Sequence, residues 1–496
     1  MTARTCWSMC RLARNISKPG FAPSLMRANV PHSHTGSRRP PRELRTVCGR
    51  CGRMYSGFLK WTSPMTQRAN IHYDTSAGFA RGGAGRRFAH LRGYVDRRIW
   101  LSPAAAFALA ICGVYAFAGL VNKFDPEGST GSILVRLIIV LITIGSYVLL
   151  PAKLKSSTAA LIPMKLFFVL YTCRLVENIY LSSISISPGP MMVFSVFFVT
   201  GVGATLLIAS MDRAIRNADL IFVMNTLCVI FLIGLYLNRD VLFVSQDQRM
   251  TLDKINPIAM GHTAFAFLIY FFLVLGKTKK LTIQSAILGP LLLLVVVFSR
   301  SRGAYIAGAG ALLVYILLLK GSKRVFAILG ALVVAMAILA SSGVELIDVV
   351  IARLQTINVD ADQSTMIRSQ LFAGAWSQFL ESPVVGRYAV EMRFNFYPHN
   401  IYLESLMAVG ALGSLPFAAH IVLALRSTVG IIRSGKFPLA AVLAAVLFIR
   451  EAIAGLASGS LWGNSLFWVT SALTISFWYG YQGFLAKNRN PEIRAY

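Results

Sequence analysis

Charged residues are scarce in this chain: they make up 14% of its 496 residues, against roughly 25% in water-soluble domains. Hydrophobic residues make up 55%, and the mean hydropathy is +0.61. This composition excludes most soluble folds. The apolar runs are continuous and do not alternate with polar residues, which also disfavours a transmembrane barrel of strands. The sequence therefore predicts an all-α polytopic membrane protein.

Acidic residues are scarcer still, with 20 Asp and Glu against 49 Lys and Arg and a net charge of +29. In a soluble protein this excess would suggest a nucleic-acid partner. Here the basic residues concentrate in the N-terminal region and in short connections between apolar segments, as the positive-inside rule describes for membrane proteins. We therefore expect contact with membrane lipids and no nucleic-acid partner.

Cysteine is too sparse and scattered for a disulfide framework, since four of the seven lie in the basic N-terminal region. Cys48 and Cys51 have the spacing of half a zinc site, but the Cys and His residues that would complete it are irregularly placed. Asp360 and Asp362 form an acidic pair without further residues at metal-ligand spacing. We expect no disulfide, no obligatory metal and no cofactor.

Residues 1–98 are rich in Arg, Gly, Ser and Pro without a sustained hydrophobic period, which predicts a disordered basic leader. The alternative is an over-long start, with the true protein beginning shortly before Arg97. From residue 99 onward the chain holds twelve apolar segments, each near the roughly 20 residues that span a bilayer core. Their predicted bounds are 99–121, 132–150, 158–173, 190–210, 219–237, 258–276, 281–298, 303–319, 324–341, 399–425, 437–457 and 465–485.

The segments divide the chain into transmembrane helices 1–9 (99–341), a long loop (342–398), transmembrane helices 10–12 (399–485) and a tail (486–496). Connections rich in Lys and Arg alternate with connections that hold the acidic residues. This alternation predicts cytoplasmic termini and places the long loop on the opposite, outer face. The loop is too long for an ordinary connector and is therefore expected to be functional.

An amphipathic helix is predicted inside the long loop over 367–380, lying at the outer interface of the membrane. Its apolar residues recur at helical spacing, with Leu371, Ala375, Trp376 and Phe379 on one side. The turn from Pro383 to Gly386 is expected to end it, because proline cannot continue a helix and glycine permits a turn.

His399 and Asn400 follow the loop and lead into the tenth apolar segment. Pro398 favours a helix start here, which would put a titratable imidazole at the outer rim of the membrane. His399, Gly410 and Gly413 are expected on one helix face. Small residues on that face would let another helix or a lipid chain approach closely.

Arginine is unexpected on the outer face, yet Arg300 and Arg302 lie there between the seventh and eighth segments. A charge at such a position costs several kcal/mol unless it has a partner, and such residues usually serve a site. With Arg353 and Arg368 of the long loop they could bind a di-anionic or tri-anionic group, since guanidinium groups pair bidentately with phosphate oxygens. The alternative is that these arginines contact lipid headgroups.

Other polar residues near these segments allow two interpretations. Glu404 either orients the neighbourhood of His399 or caps a polar seam. His262, at the start of the sixth segment, is expected to pack or to line a cavity. Arg450 and Glu451 are expected to satisfy one another, or a neighbour, inside the bundle.

Together these motifs resemble the O-antigen ligase and polymerase superfamily. The topological resemblance covers about residues 100–485, and the motifs lie within about 290–415. Arg387 departs from the family, which often has a small residue after the Pro…Gly turn. The motifs that carry the resemblance are the run Ser299–Ala304 (SRSRGA), the segment from Arg368 through Trp376 to Pro383 and Gly386, and His399-Asn400 followed by Gly410 and Gly413.

The resemblance implies an inverting C-type glycosyltransferase of the bacterial inner membrane with its active site facing the periplasm. Its donor would be a glycan on undecaprenyl diphosphate, and its acceptor lipid A-core or, in the family's polymerases, a growing polysaccharide. By motif position His399 is the candidate catalytic histidine, while Arg302 and Arg368 are candidate pyrophosphate binders. Arg353 corresponds to the family's other outer-loop arginine, and Arg300 and Asn400 lie beside these residues in sequence.

Three functions are compatible with these features. O-antigen ligation is favoured, and repeat-unit or exopolysaccharide polymerisation is the alternative, because it would use the same donor and similar residues. A transporter or flippase would need polar residues along a path through several helices and, commonly, paired broken helices. It is disfavoured because the intramembrane charges here are scattered, whereas the motif residues gather on one face.

Overall fold

The computed structural model describes residues 99–124, 130–156, 158–182, 184, 186, 189–242, 257–278, 283–321 and 363–489. The basic leader, the ninth predicted span and Arg353 lie outside these ranges. Within them the chain is helical, and extended pairing is confined to an isolated β-bridge between Glu391 and Phe396.

Long helices follow one another along the described chain. Short turns of π-helix interrupt α1 and α4 and form the last turn of α3. The helices are α1 (Pro103–Phe124), α2 (Thr130–Leu149), α3 (Ala159–Leu181), α4 (Pro190–Ser210), α5 (Asn217–Leu237), α6 (Pro257–Thr278), α7 (Ile283–Ser299), α8 (Arg302–Leu318), α9 (Gln363–Glu381), α10 (Ile401–Ser434), α11 (Leu439–Ala454) and α12 (Ser465–Arg489).

Six of the described helices are long and apolar enough to cross a membrane, namely α1, α3, α4, α5, α6 and α10. Shorter apolar helices occupy α2, α7 and α8. The chain is therefore a multi-pass, all-helical membrane protein in its described part, as the composition predicts. The count of twelve spans, the domain bounds and the side that each connection faces stay predictions.

Two apolar cores hold the bundle together. One is built mainly from α1, α5, α6 and α11, and the other from α3, α4, α10 and α12. In the second core the rings of Phe167 and Phe417 stack with centroids 4.9 Å apart, and the Trp468 ring lies 5.7 Å from Phe417. Such aromatic contacts add about 0.5–1.5 kcal/mol each to the burial of apolar area. Ala389 and Val390, from the connection between α9 and α10, also belong to this core.

The third span is longer than the sequence pattern suggests. The segment predicted as 158–173 continues to Leu181, because Leu175 and Ile179 are buried in the second core. The charged residue Arg174 therefore lies within the helix and not in a connection.

Helix α10 differs from its prediction at both ends. It begins at Ile401 with Asn400 as its N-cap, so Pro398 does not start the helix and His399 precedes it. It continues to Ser434, where Gly435 ends it with a φ of 66° in the left-handed region that glycine tolerates. Most of the connection expected after residue 425 is therefore helical.

The predicted amphipathic helix exists as α9 and packs against α10. Leu371, Ala375 and Gln378 are its buried residues, whereas Trp376 is 49% exposed. Trp376 nevertheless shares a side of the helix with Phe379, since their ring centroids lie 5.3 Å apart. Its position one residue after Ala375 rotates it by about 100° around the helix axis.

Candidate active site

Helix α10 is broken at Gly410, whose φ of 67° and ψ of −177° are not helical. The break separates the carbonyl groups of Met407 and Ala408 from the N–H groups of Ala411 and Leu412, which would be their partners in a continuous helix. Buried backbone groups need other partners, because each one left unpaired is costly in the absence of water.

The segment 383–388, here called the inserted segment, lies in the break and supplies those partners. It follows the end of α9 and carries the Pro…Gly turn of the predicted motif. Its backbone hydrogen bonds to α10 are Ala411 N–H to Pro383 O (2.8 Å), Leu412 N–H to Val384 O (3.0 Å) and Arg387 N–H to Met407 O (3.1 Å). The close approach predicted at Gly410 is thus made by the backbone of the inserted segment, and not by another helix or a lipid chain.

Asn400 fixes the start of α10. Its Oδ1 accepts hydrogen bonds from the N–H groups of Tyr402 and Leu403, both at 3.0 Å, and its Nδ2 donates to Leu456 O at 3.0 Å. The first contacts satisfy two N–H groups that the helix leaves open. The last ties the start of α10 to the segment that follows α11.

His399 is held between the inserted segment and this cap. Its φ of 59° lies in the left-handed region, which is uncommon for a residue other than glycine and often marks a functional position. Its ring is half-buried and packs edge-on against Tyr397, with centroids 4.5 Å apart, and against Phe396 at 5.5 Å. Tyr397 in turn meets Trp462 at 5.9 Å.

Arg368 of α9 lies close enough to act electrostatically on both His399 and Tyr397. Burial, and then the positive charge of Arg368, lower the pKa of His399 to about 4. Burial raises the pKa of Tyr397 to about 12. At neutral pH the imidazole is therefore uncharged and can accept a proton, while the phenol keeps its proton and can donate a hydrogen bond.

Glu404 is fully buried one turn into α10, and both of its oxygens are hydrogen-bonded. The Tyr171 hydroxyl donates to Oε1 at 2.6 Å, and the N–H of Leu461 donates to Oε2 at 2.9 Å. The carboxyl group therefore joins α3, α10 and the segment before α12. This geometry favours the second of the two interpretations drawn from the sequence, in which Glu404 caps a polar seam.

Arg300 and Arg302 flank the turn between α7 and α8, and both are half-buried. Arg300 has a φ of 46°, and Ser301 caps α8 by accepting a hydrogen bond from the N–H of Ala304 at 3.4 Å. Arg302 is the first residue of α8. The turn geometry thus fixes the backbone positions of both arginines.

Contacts among four helices bring this turn to the same end of the bundle as His399. Gly261 of α6 packs closely against Ser299 of α7, since a Cβ on the glycine would lie 2.7 Å from Ser299 Oγ. Arg450 Nη1 of α11 donates a hydrogen bond to His262 O of α6 at 2.6 Å. The N–H of Ile401 in α10 donates to Gly455 O, at the end of α11, at 3.0 Å. Arg300 and Arg302 therefore share this end with Arg368 and His399. Arg353 lies outside the described residues.

Arg450 and Glu451 satisfy one another, as predicted, in a buried ion pair in which Arg450 Nε donates to Glu451 Oε1 at 2.8 Å. Among the residues that the structure describes, there is no group of three or more His, Cys, Asp or Glu side chains that could hold a metal ion. The absence of an obligatory metal stays a prediction.

Two residues of α3, Arg174 and Asn178, contact the inserted segment and were not singled out from the sequence. The segment predicted as the third span ended at Cys173, which left both in a connection. An arginine within an apolar helix is by itself a signal of a functional or structural site. If the predicted span had extended beyond Cys173, Arg174 would have been recognised as such a signal.

Comparison with known proteins gives one family. No curated protein matches the chain. Residues 287–418 match the family model described as O-antigen ligase. The matched region runs from α7 past the break in α10, and it includes Arg302, Arg368, Gly386, His399 and Gly410. The resemblance predicted from the motifs is therefore confirmed over residues 287–418, which are similar to the O-antigen ligase family.

Proposed function

We propose that this protein is an inverting glycosyltransferase that moves a glycan from undecaprenyl diphosphate to lipid A-core at the periplasmic face of the bacterial inner membrane. The observation that carries the proposal is the position of His399, an uncharged imidazole beside the guanidinium group of Arg368. The two are brought together by an outer loop inserted into a broken helix. The O-antigen ligase match covers this whole arrangement.

In the proposed step the acceptor hydroxyl oxygen attacks the anomeric carbon of the lipid-linked sugar, and the bond from that carbon to the diphosphate breaks. The hydroxyl proton goes to the imidazole of His399, which acts as general base. The diphosphate leaves with the bonding electron pair and stays on the lipid carrier. Because attack and departure occur on opposite sides of the carbon, the anomeric configuration inverts.

The arginines serve the leaving group in this proposal. A departing diphosphate gains negative charge, and preorganised guanidinium groups stabilise that charge best in a site shielded from water. Arg368 is the first such group, and Arg300 and Arg302 supply further positive charge at the same end of the bundle. Arg353 is expected to join them. A bound diphosphate would also raise the pKa of His399 from its value in the free protein, because it offsets the charge of Arg368.

The test is transfer by the purified, full-length protein in lipid nanodiscs, with lipid-linked glycan and lipid A-core but no nucleotide and no ion gradient. Glycosylated core is the expected product. His399→Gln should abolish it, and Arg368→Gln should strongly reduce it while leaving a measurable rate. Arg387→Gln is the matched control, since this exposed arginine neighbours the site and its guanidinium group lies over the Tyr388 ring at 5.2 Å.

Other outcomes would point to the alternatives. Extension of the glycan on its own lipid carrier, without transfer to core, would mean a polymerase. Movement of the lipid-linked glycan across the bilayer without a new glycosidic bond would mean a transporter or flippase. Either result would overturn ligation as the function.

A further inference from the structure

Arg174 lies at the outer part of α3 and reaches into the break of α10. Its Nε donates to Ala408 O at 2.7 Å, and its Nη2 donates to Val385 O and Gly386 O, both at 3.0 Å. Ala408 O is one of the carbonyl groups that the break at Gly410 deprives of a helical partner. A single guanidinium group thus joins the broken helix to the inserted segment.

Asn178, one turn further along α3, contacts the same loop in a second way. Its Nδ2 donates to Arg387 O at 3.0 Å, and its Oδ1 accepts from the N–H of Ala389 at 2.6 Å. The side chain is only 2% exposed, so both hydrogen bonds are shielded from water. The amide therefore pairs with the loop backbone as a neighbouring strand would.

Positions 174 and 178 are four residues apart and share one face of α3. Together they contact three consecutive residues, Val385 to Arg387, and also Ala389, in the stretch that connects α9 to the segment that carries His399. In the sequence, Arg368 precedes this connection and His399 follows it. A displacement of residues 385–389 would change the position of His399 relative to Arg368.

We infer that Arg174 and Asn178 are positioning residues, which hold the inserted segment in the break of α10 and thereby set the geometry of His399 and Arg368. Neither residue touches the reacting atoms. Both lie outside the region that matches the O-antigen ligase family, residues 287–418. The inference rests on the proposed function for its effect on transfer. The hydrogen bonds by which Arg174 and Asn178 hold the inserted segment, here called the clamp, can be tested without any activity.

The experiment compares four full-length variants with the wild-type protein in nanodiscs. Arg174→Met removes the guanidinium group and keeps an apolar side chain of similar length. Arg174→Lys keeps the charge but has no planar fork to reach three carbonyl groups. Asn178→Asp keeps the acceptor for Ala389 and loses the donor for Arg387. The matched control is Glu177→Gln, since Glu177 is 47% exposed and contacts Arg174 Nη1 at 2.6 Å without touching the loop.

The first measurement is hydrogen exchange of the backbone amides in the inserted segment and at residues 411 and 412. Arg174→Met and Asn178→Asp should speed exchange there at least tenfold, while the amides of α11 stay unchanged. Glu177→Gln should leave exchange as in the wild type. Unchanged exchange in both Arg174→Met and Asn178→Asp would show that these residues do not hold the inserted segment. If Arg174→Met does not fold, Asn178→Asp alone provides the test.

The second measurement is the kinetics of the folded, monodisperse fraction. A misplacement of about 1 Å near reacting groups can cost on the order of a hundredfold in rate. We expect kcat to fall at least tenfold in Arg174→Met and Asn178→Asp with KM for the lipid-linked donor changed less than twofold, and a partial return of kcat in Arg174→Lys. A loosened loop with unchanged kcat would overturn the positioning role. A loosened loop in a protein whose wild type transfers no glycan would overturn the proposed function and leave the clamp in place.

Discussion

Gly386 and Gly410 meet so closely that a Cβ on Gly386 would lie 2.5 Å from the backbone nitrogen of Gly410. Both residues have positive φ angles, 64° and 67°. Side chains at either position would therefore face both a strained backbone and a collision with backbone atoms, which have no freedom to move aside. At this contact the inserted segment enters the break in α10.

Gly410→Ala should destabilise the inserted segment and abolish transfer. A φ of 67° with a ψ of −177° is essentially restricted to glycine and costs another residue about 1–3 kcal/mol. The collision with Val384 adds to this cost. The measurements are the thermal unfolding midpoint in detergent and glycan transfer at equal protein. Gly289→Ala is the control, since nothing lies within 4 Å of a Cβ there and Gly289 is helical. Wild-type stability and transfer in Gly410→Ala would show that the loop does not depend on this contact.

The pH dependence of transfer should reveal the charge of Arg368. Because the pKa of His399 is lowered to about 4 in the free protein, the imidazole loses its basic form only as the pH falls toward 4. The acid limb of kcat/KM, which reports the free enzyme, is therefore expected near pH 4. Arg368→Gln removes a cause of that lowering, so its remaining activity should show an acid limb at higher pH, toward the ordinary value of about 6.5.

Arg387→Gln is the control for that shift, because it removes an exposed arginine of the same loop. Its acid limb should coincide with that of the wild type. An acid limb in Arg368→Gln that stays where the wild type has it would contradict the electrostatic contact between Arg368 and His399.

Asn400 should act in two separable ways, as a helix cap and as a tie to Leu456. Asn400→Ala loses both and should lower the free energy of unfolding by about 1–2 kcal/mol. Asn400→Ser keeps a capping oxygen but loses the Nδ2 donor, so it should retain stability while the start of α10 is freed from Leu456 O. Unfolding in detergent and hydrogen exchange at Tyr402 and Leu403 measure the two effects. Equal losses in both variants would mean that the tie, and not the cap, carries the stability.

Glu404 and Tyr171 should be coupled in stability and not in chemistry. Glu404→Gln, Tyr171→Phe and the double variant form a cycle whose coupling energy we expect at about 0.5–1.5 kcal/mol, as for a typical buried side-chain hydrogen bond. Turnover per folded molecule should stay within about threefold in all three. A large loss of kcat with unchanged stability would instead give Glu404 a direct part in the reaction.

The membrane class and most helix positions could be predicted because continuous apolar runs leave few alternatives inside a bilayer. The described helices α4 and α5, for example, begin within two residues of their predicted starts. The sequence predicts that the third span ends at Cys173, directly before Arg174. An arginine in an apolar segment ends a span only when it has no partner, and here two carbonyl groups of the inserted segment and one of α10 supply that partner.

The site was predictable in its members and not in its construction. His399, Arg368, Gly386 and Gly410 all belong to the motifs that the sequence offers. That Gly410 breaks a helix, and that residues 383–388 fill the break, depends on hydrogen bonds between segments far apart in sequence. Local propensity carries no information about such pairings. The left-handed φ of His399 could not be predicted from the sequence either, because it follows from the loop before this residue and from the Asn400 cap after it.

The central claim, that His399 catalyses ligation, is tested most directly by His399→Ala in a strain of the native host that lacks its own copy. Immunoblotting must first show that the variant reaches the membrane at the wild-type level. Lipopolysaccharide on a gel should then show bare core, with lipid-linked polymer accumulating in the membrane. An unchanged ladder would contradict the role of His399, and core bearing a single repeat would contradict ligation in favour of polymerisation.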